Sequence, residues 1–421
     1  MNRSSTSSLR AGLAALLTGA LVAACGPVAV GTPSPASPGR DGREPAGSPS
    51  ISATGGWEKA VVEEPAESIT GPSAQPAFCS PCHPANQTYI QALAAGGPGL
   101  VGVGLGFDGA ASHAAAWTST DGRAWARSSG LPAPDGSTIT ALAAGPHGRL
   151  VAVGGGAHGG AAWVSDDGRQ WRQAPDQPAL AGPATLTQLL AVVAWGGGFL
   201  AAGAADPAWG EHRAAFWASP DGLAWQRLPD PPAASGARVQ GLAVGRHGLV
   251  AVGSRGDPER GTGAAWVSAD GRSWLPASGP DLGLGPLHAV TAGGPGFVAV
   301  GEAATGDRAV AWTSTDGSAW TAAPDAAALH AFGDQRAVML AVTAAAGRLL
   351  AVGWISDLAN GSAAAWVSTD GRAWRRLPDD ATFAGGGMAA AVPVDGRPVA
   401  AGTTGWPDNK VATVWLGPPL P

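Results

Sequence analysis

Trp366-Val367-Ser368-Thr369-Asp370-Gly371-Arg372-Ala373-Trp374 is one of six copies of a single phrase, Trp-x-Ser-x-Asp-Gly-x-x-Trp. The other five begin at Trp117, Trp163, Trp217, Trp266 and Trp312, about fifty residues apart. A fixed period of this length marks an array of repeated units. Between copies lie short stretches of small and β-branched residues, punctuated by Gly and Pro, which read as strands joined by turns. Strands rather than helices at this period make the array a β-propeller.

Each unit reads as four antiparallel strands. In the second unit they are expected at Thr138–Gly145, Arg149–Gly154, Ala161–Ser165 and Gln170–Gln173. The Asp-Gly pair falls at the tight turn from the third strand to the fourth, where a residue with positive φ is needed. Asp121, Asp167, Asp221, Asp270, Asp316 and Asp370 are expected to accept bonds from turn amides, and the paired Trp to pack between neighbouring sheets.

First strands start near Ile90, Ile139, Leu189, Val239, Leu287, Leu340 and Ala389, which counts seven blades. The seventh has strands near Met388–Val392, Pro398–Gly402 and Val411–Leu416, and residues 417–421 add no fourth. Gly55-Gly56-Trp57-Glu58-Lys59-Ala60-Val61 matches the box at Gly371–Arg376 and is expected to supply that outer strand. Such closure leaves no open edge. The first Trp of each unit (117, 163, 217, 266, 312, 366, 415) recurs at intervals of 46, 54, 49, 46, 54 and 49, a three-blade superperiod of 149 that looks like a duplicated block.

The Ser-x-Asp-Gly-x-x-Trp phrases, over residues 57–417, resemble the Asp-box, or BNR, repeat of sialidase-like β-propellers, in a variant form one residue shorter than the usual Ser-x-Asp-x-Gly-x-Thr-Trp. The resemblance implies a seven-bladed propeller with boxes on the outer hairpins, away from any site. It also implies a possible role as an assembly or scaffold factor for membrane complexes. Sialidases of that family use an arginine triad, a Tyr nucleophile paired with Glu, and an Asp acid/base. Here the single tyrosine is Tyr89, and no Arg-Ile-Pro segment occurs. The first strands carry only Gln91, Gln240 and His288 as polar exceptions, with no carboxylate pair spaced for glycoside hydrolysis.

A binding face is expected where the second-to-third connections meet the links between blades. Trp209 (with Glu211 and Arg213), Trp354 (with Asp357) and Trp406 (with Asp408 and Lys410) lie in or beside those connections. Aromatic anchors among polar groups suit a protein or glycan ligand; packing of each Trp against its own blade is the plainer use. Trp195 belongs to the opposite face. Asp176, Asp230, Asp281, Asp325 and Asp379 follow Pro after the fourth strands; they form a conceivable Ca²⁺ crown, although turn chemistry accounts for them.

The N-terminal residues 1–24 read as a secretory signal: Arg3 and Arg10, an apolar stretch from Ala11 to Ala24, then Cys25. Small residues before a cysteine resemble the bacterial lipobox, which implies lipid on Cys25 and a membrane anchor on the extracytoplasmic side. Residues 25–54 are a Pro/Gly/Ser-rich tether, and 55–421 the propeller, expected to be monomeric. Without Arg3 and Arg10 the chain keeps 23 basic against 31 acidic residues, a balance unsuited to nucleic acid. Within an insertion at 68–88, Cys79-Ser80-Pro81-Cys82-His83 admits two readings: a disulfide between Cys79 and Cys82, or a c-type haem with His83 as axial ligand. The expectation for function is a non-catalytic binding propeller, with a glycoside hydrolase and a haem redox protein as alternatives.

Overall fold

The computed structural model describes residues 56–63, 87–107, 111–181, 187–206, 212–257, 260–331, 333, 335–356, 361–405 and 410–420. Seven sheets, each with four antiparallel strands, form a seven-bladed β-propeller. The first strands are Gln87–Gly96, Thr138–Ala144, Thr187–Trp195, Ala237–Gly245, Leu287–Gly293, Arg336–Ala345 and Gly386–Val394. Each packs beside the next, and the last packs beside the first, so the ring is closed.

Closure is made by the N-terminal segment. Glu58–Lys59 pairs antiparallel with Val411–Leu416, Glu58 opposite Leu416 and Lys59 opposite Trp415. The chain then crosses to the next blade, where Val61–Val62 pairs parallel with Ala124–Arg127 as a fifth strand. One short stretch therefore ties blade 7 to blade 1 twice. In blade 2 the second and third strands are Leu150–Gly156 and Gly159–Ser165, longer than expected at the turn between them, because Gly155 and Gly156 pair on with Gly160 and Gly159.

The core is divided among the blade interfaces. Seven apolar clusters each join residues of two adjacent blades; the one containing Ile90, Trp117, Val399 and Val414 closes the ring between blades 1 and 7. Trp117, Trp163, Trp217, Trp266, Trp312, Trp366 and Trp415 are all fully buried. Removing a ring system of this size from water contributes roughly 5 kcal/mol of transfer free energy each. Six of the indoles also donate to a carbonyl in the link from the preceding blade, as Trp163 does to Pro132 at 2.9 Å and Trp415 to Thr382 at 2.9 Å.

A second sevenfold feature is absent from the sequence reading. Every first strand carries a bulge at the same place, and the extra residue is Gln91, Thr140, Leu190, Gln240, His288, Leu340 or Ala389. Opposite the residue before each bulge stands a glycine: Gly104, Gly154, Gly203, Gly253, Gly301, Gly353 and Gly402. A Cβ at any of them would lie 1.9–2.0 Å from a carbonyl oxygen of the first strand or, for Gly301, of Pro286 just before it. The bulge draws the two backbones together, and only glycine tolerates the approach. All seven bulge residues are partly exposed, which marks the inner wall of the ring.

The superperiod extends from spacing to conformation. Isolated bridges Gly130↔Gln170, Gly159↔Ala181 and Arg213↔Ser235 recur as Ser278↔Ala319, Arg308↔His330 and Ser362↔Ala384. Each recurrence lies 148 or 149 residues on, so the connections of the two three-blade blocks fold alike.

Candidate functional site

The two ends of the ring have different chemistry. At one end lie the Ser-x-Asp-Gly turns. The serine Oγ accepts from the glycine N–H at 2.8–2.9 Å in all six, as in Gly122 to Ser119 and Gly271 to Ser268. The aspartate Oδ1 accepts from amides two or three residues on, such as Arg169 and Gln170 for Asp167, both at 2.8 Å. The glycine itself has φ between +72° and +87°. The second Trp of five boxes donates to that glycine's carbonyl. The fourth box departs from this: Trp274 stacks on Phe216 with centroids 4.1 Å apart, while Trp195 of blade 3 donates to Asp270 O at 3.3 Å. This contact places Trp195 on the box end, as its sequence position indicated.

Turn amides hold these carboxyls ionised. Those of Arg123, Gln170, Ser273, Ser318 and Ala373 keep Asp121, Asp167, Asp270, Asp316 and Asp370 below the usual carboxylate range, Asp270 at about 2. At Asp221 burial opposes ionisation, and the amides of Ala224 and Leu223 outweigh it. Every donor is local, so the six aspartates serve the turns.

The opposite end, where first strands begin and second strands finish, carries buried charge. Between blades 3 and 4, Asp206 is buried and its Oδ2 lies 2.8 Å from His212 Nδ1. His212 Nε2 lies 3.1 Å from Arg238 Nη2, so the Nδ1–H tautomer satisfies both neighbours, donating to Asp206 and accepting from Arg238. Burial pulls the Arg238 guanidinium below its usual range, and the negative charges of Asp206 and Asp257 oppose that shift.

Between blades 5 and 6, Glu302 is only 2% exposed. Its Oε2 accepts from Arg336 Nη2 at 2.7 Å, and its Oε1 lies 3.3 Å from His288 Nε2. The Arg336 guanidinium stands 5.6 Å from the centroid of the Trp354 ring. Between blades 7 and 1, Lys410 Nζ stands 5.6 Å from the Tyr89 ring, and burial pushes the Tyr89 hydroxyl up to about 12. That hydroxyl donates to Gln87 Oε1 at 2.5 Å.

The blades act as controls on one another. Where blade 4 has Arg238 opposite Ser254, blade 6 has Val338 opposite Trp354, blade 7 Gly387 opposite Thr403, and blade 2 Thr138 opposite Gly155. The scaffold evidently folds without charge at this position. Burying charge is unfavourable unless paired, so the ion pairs of blades 3–6 are additions to the common plan.

Of the residues picked out from sequence, the structure describes three on this face. Trp354 lies within the second strand of blade 6, half-buried under Arg336 and beside Gly387 of blade 7, rather than in the loop beyond. Arg213 pairs with Asp230 at 3.4 Å, and its amide donates to Asp206 at 3.3 Å. Lys410 sits over Tyr89. These three have different neighbours. Trp209, Glu211, Asp357, Trp406 and Asp408 lie outside the described residues, as do Cys25, Cys79, Cys82, His83 and the segments 1–24 and 25–54. Asp206, Arg238, Glu302 and Arg336 were missed. The signal available was a charged residue at a position that is apolar or small in the sister blades.

Three of the five Pro-Asp carboxylates have separate partners. Asp230 pairs with Arg213 and Arg227, Asp325 with His330 and Arg308, and Asp281 accepts from the Ala322 amide. Among the described residues no three His, Cys, Asp or Glu side chains gather as a metal would require. A shallow concavity lined by Gly293, Ala345, Gly347 and Thr369 lies on the box end and carries no ionisable group but Arg348.

No family model matches the chain, and no curated protein sequence does. Among solved structures, the fold is similar to YCF48 bound to D1 peptide, at 15% identity over 88% of this chain and 97% of that one, with a TM-score of 0.46. It is similar to U3-55K at 13% identity over 80% and 97%, TM-score 0.47. A Trypanosoma rangeli sialidase in complex with sialic acid matches at 12% identity over 79% of this chain and 54% of that chain, TM-score 0.41. Such distant likeness concerns the fold alone.

Proposed function

We propose that this protein is a non-catalytic binding propeller of Asp-box type, held at the extracytoplasmic side of a bacterial membrane by lipid on Cys25, that takes a protein or glycan ligand on its loop end. The observation that carries this reading is the buried charge at that end, which the sister blades lack and the fold does not need. Each buried carboxylate there is engaged through both of its oxygens. Glu302 is bonded by His288 and Arg336, and Asp206 by His212 and the Arg213 amide. Such a group holds a surface in shape; it is poorly placed to accept or deliver a proton in a reaction.

The test uses the full chain with Cys25→Ser to keep it soluble, offered to a glycan array and to solubilised envelope proteins. Specific capture, abolished by combined Trp209→Ala, Trp354→Ala and Trp406→Ala, supports the reading; capture untouched by the triple change overturns it. Turnover of fluorogenic glycosides that disappears in Glu302→Gln would favour the hydrolase alternative instead. For the cysteines the proposal is a Cys79–Cys82 disulfide. Thiol titration before and after reduction tests it, and a Soret band after expression with haem-maturation proteins would replace it with haem.

A further inference from the structure

Two indole N–H groups, those of Trp274 and Trp117, are buried without a hydrogen-bond partner among the described residues. Trp274 has a local reason. It stacks on Phe216, and the same position before the first Trp is alanine in blades 1, 2, 4, 5 and 6. Trp117 has no such displacement. It is as buried as its sisters, and Arg127 stands 5.7 Å from its ring centroid as Arg227 stands 6.0 Å from that of Trp217. Yet Trp217 donates to Ala179 O at 2.7 Å. A buried donor left unpaired costs about 1–3 kcal/mol and asks for an explanation.

The six bonded sisters obey a spacing rule. Their acceptors are Pro132, Ala179, Pro232, Asp281, Ala328 and Thr382. Each lies seven or eight residues after the outer-strand Trp of the preceding blade, as Trp125 to Pro132 is seven and Trp171 to Ala179 eight. For blade 1 the preceding blade is the seventh, and its outer-strand Trp is Trp57. The count from Trp57 reaches Glu64 or Pro65, directly after Glu63, the last described residue of the closing strap. Register decides between them. Where blade 4 leads into blade 5, Ser278 N donates at 2.8 Å to Ser318 O, two residues before Trp320, and the acceptor Asp281 is three residues beyond Ser278. At the seam, Val61 N donates at 2.8 Å to Arg123 O, two residues before Trp125. Three residues beyond Val61 is Glu64.

We propose that Trp117 latches the N-terminal strap, its Nε1–H donating to the main-chain carbonyl of Glu64. The occupant is this chain's own next residue, just outside the described ones. Val61 is 74% exposed, so the fifth strand of blade 1 buries little apolar surface of its own. A bond to the buried Trp117 gives its end a fixed point. All seven blades then share one indole-to-carbonyl bond. The strap is pinned on both sides of the seam, by Trp57 against Phe383 and by Glu64 on Trp117. A load on the chain before Trp57 must therefore break both attachments to peel it away.

The experiment uses the full Cys25→Ser chain and replaces one Trp at a time by 3-benzothienylalanine, which keeps the bicyclic ring and lacks the N–H. Position 163 calibrates a bonded indole and position 274 an unpaired one. The expected result is that the replacement at 117 lowers Tm as it does at 163, while the replacement at 274 leaves Tm unchanged or raises it. A second readout isolates the strap. A protease site in place of residues 70–73 is cut after folding, and release of the strap fragment is timed. Release should be about fivefold or more faster with the replacement at 117 and unchanged with that at 163. The proposal is overturned if position 117 behaves like 274, or if strap release ignores the replacement there. It is equally overturned if a crystal structure shows a water or the carbonyl of another residue on Trp117 Nε1. None of these outcomes bears on the loop-end binding reading, which stands or falls by ligand capture.

Discussion

The backbone N–H of Trp57 donates to Asp380 Oδ2 at 3.2 Å, a bond between residues 323 apart in the chain. Trp57 is buried against Phe383, ring centroids 5.5 Å apart and edge to face, so the N-terminal strand is anchored by packing as well as pairing. Trp57→Ala should therefore destabilise the ring by about 3 kcal/mol, seen as a lower Tm and earlier proteolysis near residue 60. A Tm unchanged from the parent would show that blade 7 closes without this strand.

Asp380 gives the same clasp a pH dependence. Burial opposes its ionisation, but the Thr382 amide, the Thr382 hydroxyl and the Trp57 amide outweigh burial and hold its carboxyl below the ordinary range. A carboxyl depressed on folding stabilises above its unfolded value, near 4, and loses that contribution as pH falls through the folded value. Asp380→Asn should lower Tm at pH 7 and have a shrinking effect as the pH drops below about 4. Equal penalties at both pH values would refute the linkage.

Gly253 and Gly283 make a matched pair for the bulge argument. A Cβ on Gly253 would sit 1.9 Å from Arg238 O, whereas one on Gly283 meets nothing within 4 Å. Gly253→Ala should cost about 3 kcal/mol or more, because backbone on both sides must move. Gly283→Ala should be neutral or stabilise by about 0.5 kcal/mol through the unfolded chain. Urea unfolding of the two variants separates the outcomes.

The fold was legible because its signal repeats. Six copies of Ser-x-Asp-Gly-x-x-Trp fix the turn after each third strand, and the match of Trp57 to Trp374 reveals the closing strand. The bulges escaped notice because an extra residue leaves alternation intact on either side of it, and the glycine that betrays it lies on the other strand. The site was less legible for a related reason. Asp206, Glu302, Arg238 and Arg336 each occur once, so no repeat points to them. Only the register, which sets Arg238 level with Val338 and Gly387, shows that they depart from the common plan.

Acid should loosen the box end. Asp270, held at about 2 chiefly by the Ser273 and Arg272 amides, stays ionised well below the pH at which an unfolded aspartate protonates. Its contribution is complete above about pH 4 and is lost as pH falls towards 2. Asp270→Asn should lower Tm by about a degree or two at pH 7 and leave it unchanged near pH 2. Tm measured against pH for the two proteins should converge on the acid side; parallel curves would mean that the carboxylate charge is immaterial to the turn.

Glu302 and Arg336 should prove coupled. The carboxylate is buried while the Arg336 side chain keeps 28% of its surface, so deleting the acid leaves a cation half out of water over the Trp354 ring. Glu302→Ala should cost about 2–3 kcal/mol, and Glu302→Gln, which still offers Arg336 an acceptor, about half as much. Arg336→Met alone strands the carboxylate with His288 as its neighbour, and should be the worse single change because Glu302 has the less exposed side chain, 3% against 28%. The double replacement Glu302→Leu with Arg336→Met removes both charges and should recover about 1–3 kcal/mol of the summed penalties. Additive losses across that cycle would show that the two side chains are neighbours without being partners.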